Sequence, residues 1–136
     1  MGEADKVAIE KLYARYLQAF IVQDYVSLRE CIQAPFVVFA RGDMRSFDSA
    51  DAAIDFIRTQ RQMLEQKAYL RADILKTQIT ALSVNSALVN KSYRRYKKDG
   101  SFLEEGAAVY PVSKSAGVWK LRGLIPQEPK HFGKVY

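Results

Sequence analysis

One cysteine, one histidine and no long apolar run close most of the usual routes to chemistry for this chain. With Cys31 alone, no intrachain disulfide and no cysteine-based metal motif can form. That usage fits a cytoplasmic setting, and Cys31 reads as a small buried hydrophobe. His131 sits near the C-terminus, so neither a histidine-containing triad nor a multi-histidine metal site is expected. No metal and no cofactor are called for. No apolar stretch reaches membrane-spanning length. The opening segment, MGEADKVAIEKLY, is charged and amphipathic and lacks a signal-peptide apolar core. Lys6 stands where a myristoylation motif needs Ser or Thr. Internal repeats and low-complexity segments are missing too.

What is present suits one folded domain. The chain has 136 residues, 49% of them apolar, which is enough for a real core. Residues 1–126 read as that domain and 127–136 as a tail with no clear period. A formal charge of +6 admits an anionic partner but does not require one.

The stretch from Ala87 to Pro126 organises the rest as a long antiparallel meander. Asp99-Gly100 predicts a two-residue hairpin, because a type I′ turn needs positive φ at both central positions. A tight turn there pairs Arg95 with Glu104 and Arg94 with Glu105. One face then carries Tyr93, Arg95, Phe102, Glu104, Gly106, Ala108 and Tyr110. The other carries Asn90, Ser92, Arg94, Tyr96, Leu103, Glu105, Ala107 and Val109. In the last strand Trp119, Leu121 and Ile125 alternate with Lys120, Arg122 and Leu124, which turns the tryptophan side inward.

Upstream, about Ala4 to Val22 form an amphipathic helix on Ile9, Leu12, Tyr13, Tyr16, Leu17 and Phe20. Asp24 caps a short second helix that Pro35 should end. Phe36 to Ala40 predict a strand, Arg41-Gly42-Asp43 its turn, and MRSF the returning partner. Asp48 or Ser49 caps a third helix running to about Gln66, and Leu70 to Leu82 form a strand. Helices followed by consecutive strands indicate an α+β fold.

In that order of elements the chain resembles the nuclear transport factor 2-like superfamily, which includes ketosteroid isomerase and the SnoaL-like polyketide cyclases. The resemblance covers roughly Val7 to Pro126. It implies a cystatin-like cone: three N-terminal helices packed on a strongly curved, antiparallel or mixed sheet, with a pocket on the concave side. Arg15-Tyr16-Leu17, with Asp24 eight residues after the tyrosine, is similar to the isomerase first helix. There the tyrosine donates to the developing oxyanion. The isomerase's acidic positions fall at Ala40 and Ala108, so its proton-transfer chemistry is not implied. FVVF, RGD, MRSF and YRRYKKDGSFLEEGAAVY look closest to an uncharacterised bacterial branch.

The candidate pocket residues are Tyr13, Tyr16, Phe20, Tyr93, Arg95, Glu104, Tyr110 and Trp119. Tyr16 would act as a donor, and Arg95 or Glu104 as a polar anchor for a small apolar or anionic ligand. Asp43, Glu104 and Glu105 are the carboxylates a general base could come from. The alternative is a non-catalytic homodimer, joined through an outer face carrying Tyr96, Leu103, Val109 and Leu124. Tyr93 to Lys98 mix bases with aromatics as nucleic-acid binders do, which makes binding through Arg94–Lys98 a minor alternative, but two acids across the hairpin partly cancel that charge.

Overall fold

The computed structural model describes residues 1–134; positions 135 and 136 of the expected tail lie outside it. Three helices pack on a six-stranded mixed sheet. The helices are α1 (Glu3–Val22), α2 (Tyr25–Cys31) and α3 (Ala50–Gln66). The strands are β1 (Ile32–Ala40), β2 (Asp43–Phe47), β3 (Tyr69–Ser83), β4 (Ser86–Lys97), β5 (Phe102–Ser115) and β6 (Val118–Gln127). Their spatial order is β2-β1-β6-β5-β4-β3. Only β1 against β6 is parallel; the other neighbours are antiparallel.

α1 forms because Ile9, Tyr13, Tyr16 and Phe20 recur on one stripe, and all four are buried. It ends at Gln23, in the left-handed region, whose N–H reaches the carbonyls of Ala19 and Phe20. The Asp24 carboxylate then accepts from the Ser27 N–H and starts α2. α2 stops at Cys31, four residues before Pro35, because Ile32 is already extended and pairs with Leu121. Pro35 therefore lies inside β1 and does not end the helix. The Ser49 hydroxyl accepts from the Ala52 N–H and starts α3.

Charged contacts tie the helices to the sheet. Asp5, in the first turn of α1, accepts from Trp119 Nε1 at 3.0 Å and from Lys114 Nζ at 3.1 Å. The Trp119 hydrogen bond, followed by Lys114, holds the Asp5 carboxyl below its ordinary range. A depressed carboxyl contributes stability above the unfolded value, and that contribution disappears as pH falls through the folded value. Trp119, the single tryptophan, should therefore change emission with a midpoint below about 3.9. Asp5→Asn should abolish that transition, and a midpoint at or above the ordinary aspartate value would contradict the assignment.

The hairpin register holds where it was expected, by a different route. Arg94 pairs with Glu105 and Arg95 with Glu104. The turn is not type I′, since Gly100 is its sole positive-φ residue. Gly100 N–H bonds to Lys97 O, and Lys97 N–H to Ser101 O, which closes a three-residue loop. That loop shifts the pairing by one residue, to Tyr96 opposite Phe102. A bulge at Leu103 restores it before Glu104.

The bulge corrects two sides. Phe102 stands on the outer face beside Tyr96 and Arg94, with ring centroids 6.4 Å from Tyr96. Leu103 packs against the core instead. A second irregularity, between the Val109–Ile125 and Val112–Leu121 pairs, inserts a residue into β6 near Gly123. Leu124 consequently turns inward, and Ile125 takes the outer side opposite Val109. Of the four residues expected to join two copies, Leu103 and Leu124 belong to the interior.

The tail is placed as far as residue 134. Residues Pro129–His131 make a 3-10 turn. Gly133 N–H then donates to Asn90 Oδ1 at 2.7 Å, on the outer face of β4. Asn90 Nδ2 in turn donates to Ala108 O and Gln127 Oε1.

Candidate functional site

The concave side of the sheet and the helices enclose a cavity of about 260 Å³. α1 supplies Tyr13, Tyr16, Leu17 and Phe20. α3 supplies Phe56, Ile57, Gln60, Met63 and Leu64, with Lys67 just after it. The sheet supplies Tyr69, Ala72, Ile74, Tyr93, Arg95, Glu104, Ala108, Tyr110, Leu124 and Pro126.

Seven of the eight expected site residues therefore meet: Tyr13, Tyr16, Phe20, Tyr93, Arg95, Glu104 and Tyr110. Trp119 does not join them. It is buried at the far end of the sheet, against Asp5. Alternation correctly turned it inward, but the concave face is longer than the cavity.

The tyrosines form one aromatic cluster. Tyr110 meets Tyr13 edge-on at 5.0 Å and Tyr16 at 5.7 Å between ring centroids. Tyr16 stacks on Phe20, and Phe20 meets Tyr69 edge-on at 6.3 Å. The Tyr13 hydroxyl donates to that of Tyr110 at 3.5 Å. Burial pushes the Tyr13, Tyr16 and Tyr110 hydroxyls above their ordinary pKa. All three stay protonated near neutrality; Tyr13 gives its O–H to Tyr110, which leaves those of Tyr16 and Tyr110 available as donors.

Arg95 supplies the internal positive charge. Its Nη1 donates to Glu104 Oε1 at 3.0 Å. The guanidinium lies over the Tyr93 ring at 4.8 Å and near the Tyr69 ring at 6.0 Å. Burial works against its charge, but Tyr93 and Glu104 outweigh that and raise its pKa. Gly106, paired with Tyr93, lets this ring lie flat on the strand: a Cβ there would sit 2.5 Å from Tyr93 Cε2.

Several lining residues were not anticipated. Phe56, Gln60, Met63 and Lys67 fall at helical spacing on a stripe beside the core stripe of α3. Once the fold is known, that stripe is readable as a cavity wall. Tyr69 is almost wholly buried, and its hydroxyl has no hydrogen-bond partner among the described residues. Lys91 was also missed. It is 2% exposed beside the cavity, held by both Glu10 carboxylate oxygens, by Thr77 Oγ1 and by the Tyr13 ring at 4.5 Å.

The other candidate bases lie elsewhere. Asp43 is exposed at the start of β2, and Glu105 faces outward to Arg94 at 3.4 Å. Glu104 is the single carboxylate among the lining residues. Ala108 lines the cavity and Ala40 is exposed at the end of β1, so neither isomerase position carries an acid. Within the basic run, Arg94, Arg95 and Lys98 face Glu105, Glu104 and Glu65. Among the described residues no three metal-ligating side chains come together. Nor is any described helix long and apolar enough to cross a membrane.

Residues 4–129 match the family described as NTF2-like protein (DUF6841). The chain belongs to this NTF2-like family. Solved structures agree with that fold. A protein of unknown function with a cystatin-like fold from Nostoc punctiforme is 13% identical, with a TM-score of 0.74 over 96% of this chain and 98% of its own. Aln2 from a Streptomyces species is 10% identical, with a TM-score of 0.76 over 96% of this chain and 94% of its own. An NTF2-like protein of unknown function from Pseudomonas putida is 17% identical, with a TM-score of 0.74 over 95% of this chain and 89% of its own. Identities this low carry the NTF2-like fold and no activity. No curated protein matches the chain.

Proposed function

We propose that this NTF2-like protein binds a small, largely apolar molecule in its cone, in a cytoplasmic setting. The observation that carries the reading is the Arg95–Glu104 pair inside a tyrosine-lined cavity. Desolvation works against the Arg95 charge in such surroundings, so packing alone gives little reason to keep it there. A ligand with a polar end gives one.

The Tyr16 and Tyr110 hydroxyls would act as neutral donors, and Arg95, which Glu104 pairs with in the absence of a ligand, as the polar anchor. Binding is favoured over isomerase-type proton transfer because Ala40 and Ala108 offer no base.

A panel of steroids, fused aromatics, carboxylates and nucleotides tests this by thermal shift. At least one class should raise the unfolding midpoint saturably, by about 3 °C or more. Ala72→Trp places an indole at the cavity wall and should abolish the response while the fold persists. A folded protein whose midpoint no class moves, or an Ala72→Trp variant that responds like the parent, would refute the proposal.

A further inference from the structure

The chemistry of the cavity's polar end narrows the ligand, and the narrowing rests on the pocket reading above. We propose that the cavity takes a monocarboxylic acid with a compact ring body, its carboxylate held by Arg95.

Charge is the first argument. The lining contains two cations, Lys67 and Arg95, and one anion, Glu104. Lys67 is exposed and so screened by solvent, which leaves Arg95 as the cation that an anionic ligand would meet and a cationic one would oppose.

Unused donors are the second. A guanidinium carries five N–H groups in a planar fork that matches a carboxylate. Among the described residues Arg95 spends one bond, to Glu104. The Tyr93 ring under it, at 4.8 Å, holds the plane of the fork.

Tyr69 is the third. Its hydroxyl is buried and unpartnered among the described residues, and the guanidiniums of Arg61 and Arg95 stand 4.9 and 6.0 Å from its ring. An unsatisfied buried hydroxyl is costly, and an acceptor entering the cavity that Tyr69 and Arg95 both line would relieve it.

The remaining wall is apolar and aromatic, which suits a ring rather than a chain of hydroxyls. Glu104 then has a definite role. Its side chain is 37% exposed, so it occupies Arg95 from the solvent side and yields to an incoming carboxylate. Glu104 competes with the acid and does not bind it.

Isothermal titration with benzoate and 2-naphthoate, each set against its primary amide, separates the possibilities. The amides keep the ring and lose the charge. The acids should bind about tenfold tighter than the amides or better, the size of a charge-assisted pair. Arg95→Met should bring the acids down to the amide level. Glu104→Gln should tighten the acids several-fold and leave the amides unchanged.

Equal binding of acid and amide would overturn the carboxylate proposal and leave the pocket reading standing. Absence of binding by all four compounds to folded protein would overturn the carboxylate proposal, and the thermal-shift panel then decides the pocket reading. Weaker acid binding in Glu104→Gln would show that Glu104 holds the ligand and would also overturn it. Should Arg95→Met fail to fold, the sign of the Glu104→Gln change decides alone.

Discussion

Arg61→Met should unfold about 10 °C below the parent protein, a loss of about 3 kcal/mol. Arg61 is 3% exposed in the middle of α3, where a charge is out of place on an otherwise apolar stripe. Its bonds explain it. Nη2 donates to Ile21 O at 3.0 Å, a carbonyl that α1 leaves open at its C-terminus, and Nε donates to Phe20 O at 3.1 Å, beside the Gln23 N–H that already caps it. Nη1 donates to Glu65 at 2.9 Å, and Glu65 also pairs with Lys98 at the hairpin tip.

One side chain thus connects α1, α3 and the β4–β5 hairpin. Methionine preserves the volume and removes all three donors. The Ile21 carbonyl then loses its donor, at a cost of about 1–3 kcal/mol, Phe20 O keeps the Gln23 N–H alone, and Glu65 loses its buried cationic partner. Chemical denaturation measures the difference directly. A loss under about 1 kcal/mol would show that water takes over these carbonyls cheaply and that the bonds are incidental.

Gly123→Ala should cost about 2–4 kcal/mol, although the change adds a single methyl group. A Cβ at Gly123 would lie 2.6 Å from the carbonyl oxygen of Val37 and 3.4 Å from the Pro111 ring. The first neighbour is backbone, so no rotamer change relieves the contact. Val37 pairs with Gly123 in the one parallel junction of the sheet. The methyl group therefore forces β1 away from β6, and β2 beyond it.

Hydrogen exchange should show the loss confined first to β1 and β2, while β3 to β5 keep their protection. Uniform loss of protection, or an alanine variant as stable as the parent, would contradict the close approach.

These two residues also show what the sequence could and could not disclose. The helix caps at Asp24 and Ser49, the buried stripe of α1 and the Arg95–Glu104 register follow from local rules, and the structure contains them. Of the seven cavity residues, Tyr93, Arg95, Glu104 and Tyr110 were legible because alternation along β4 and β5 fixes their side once the concave face is known, and Tyr13, Tyr16 and Phe20 because they share the apolar stripe of α1. The faces of Phe102, Leu103, Leu124 and Ile125 were not. Each lies next to a bulge, and one inserted residue reverses every side chain beyond it.

Arg61 and Lys91 were overlooked for a different reason. A lone charge within an apolar pattern reads as solvent-facing, and its partners are carbonyls or carboxylates far away in the chain: Phe20 and Ile21 for Arg61, Glu10 for Lys91. Trp119 was placed inward correctly, yet an inward position does not say which part of the cone it fills.

The most direct measurement of the central claim uses the methyl groups of the three methionines. Met63 lines the cavity, whereas Met44 is exposed on β2 and Met1 begins the chain. With 13C-methyl methionine labelling, titration with 2-naphthoate should shift the Met63 resonance saturably and leave Met1 and Met44 in place. Three resonances that stay fixed, or that move together without saturating, would show that the cone is not where small molecules bind.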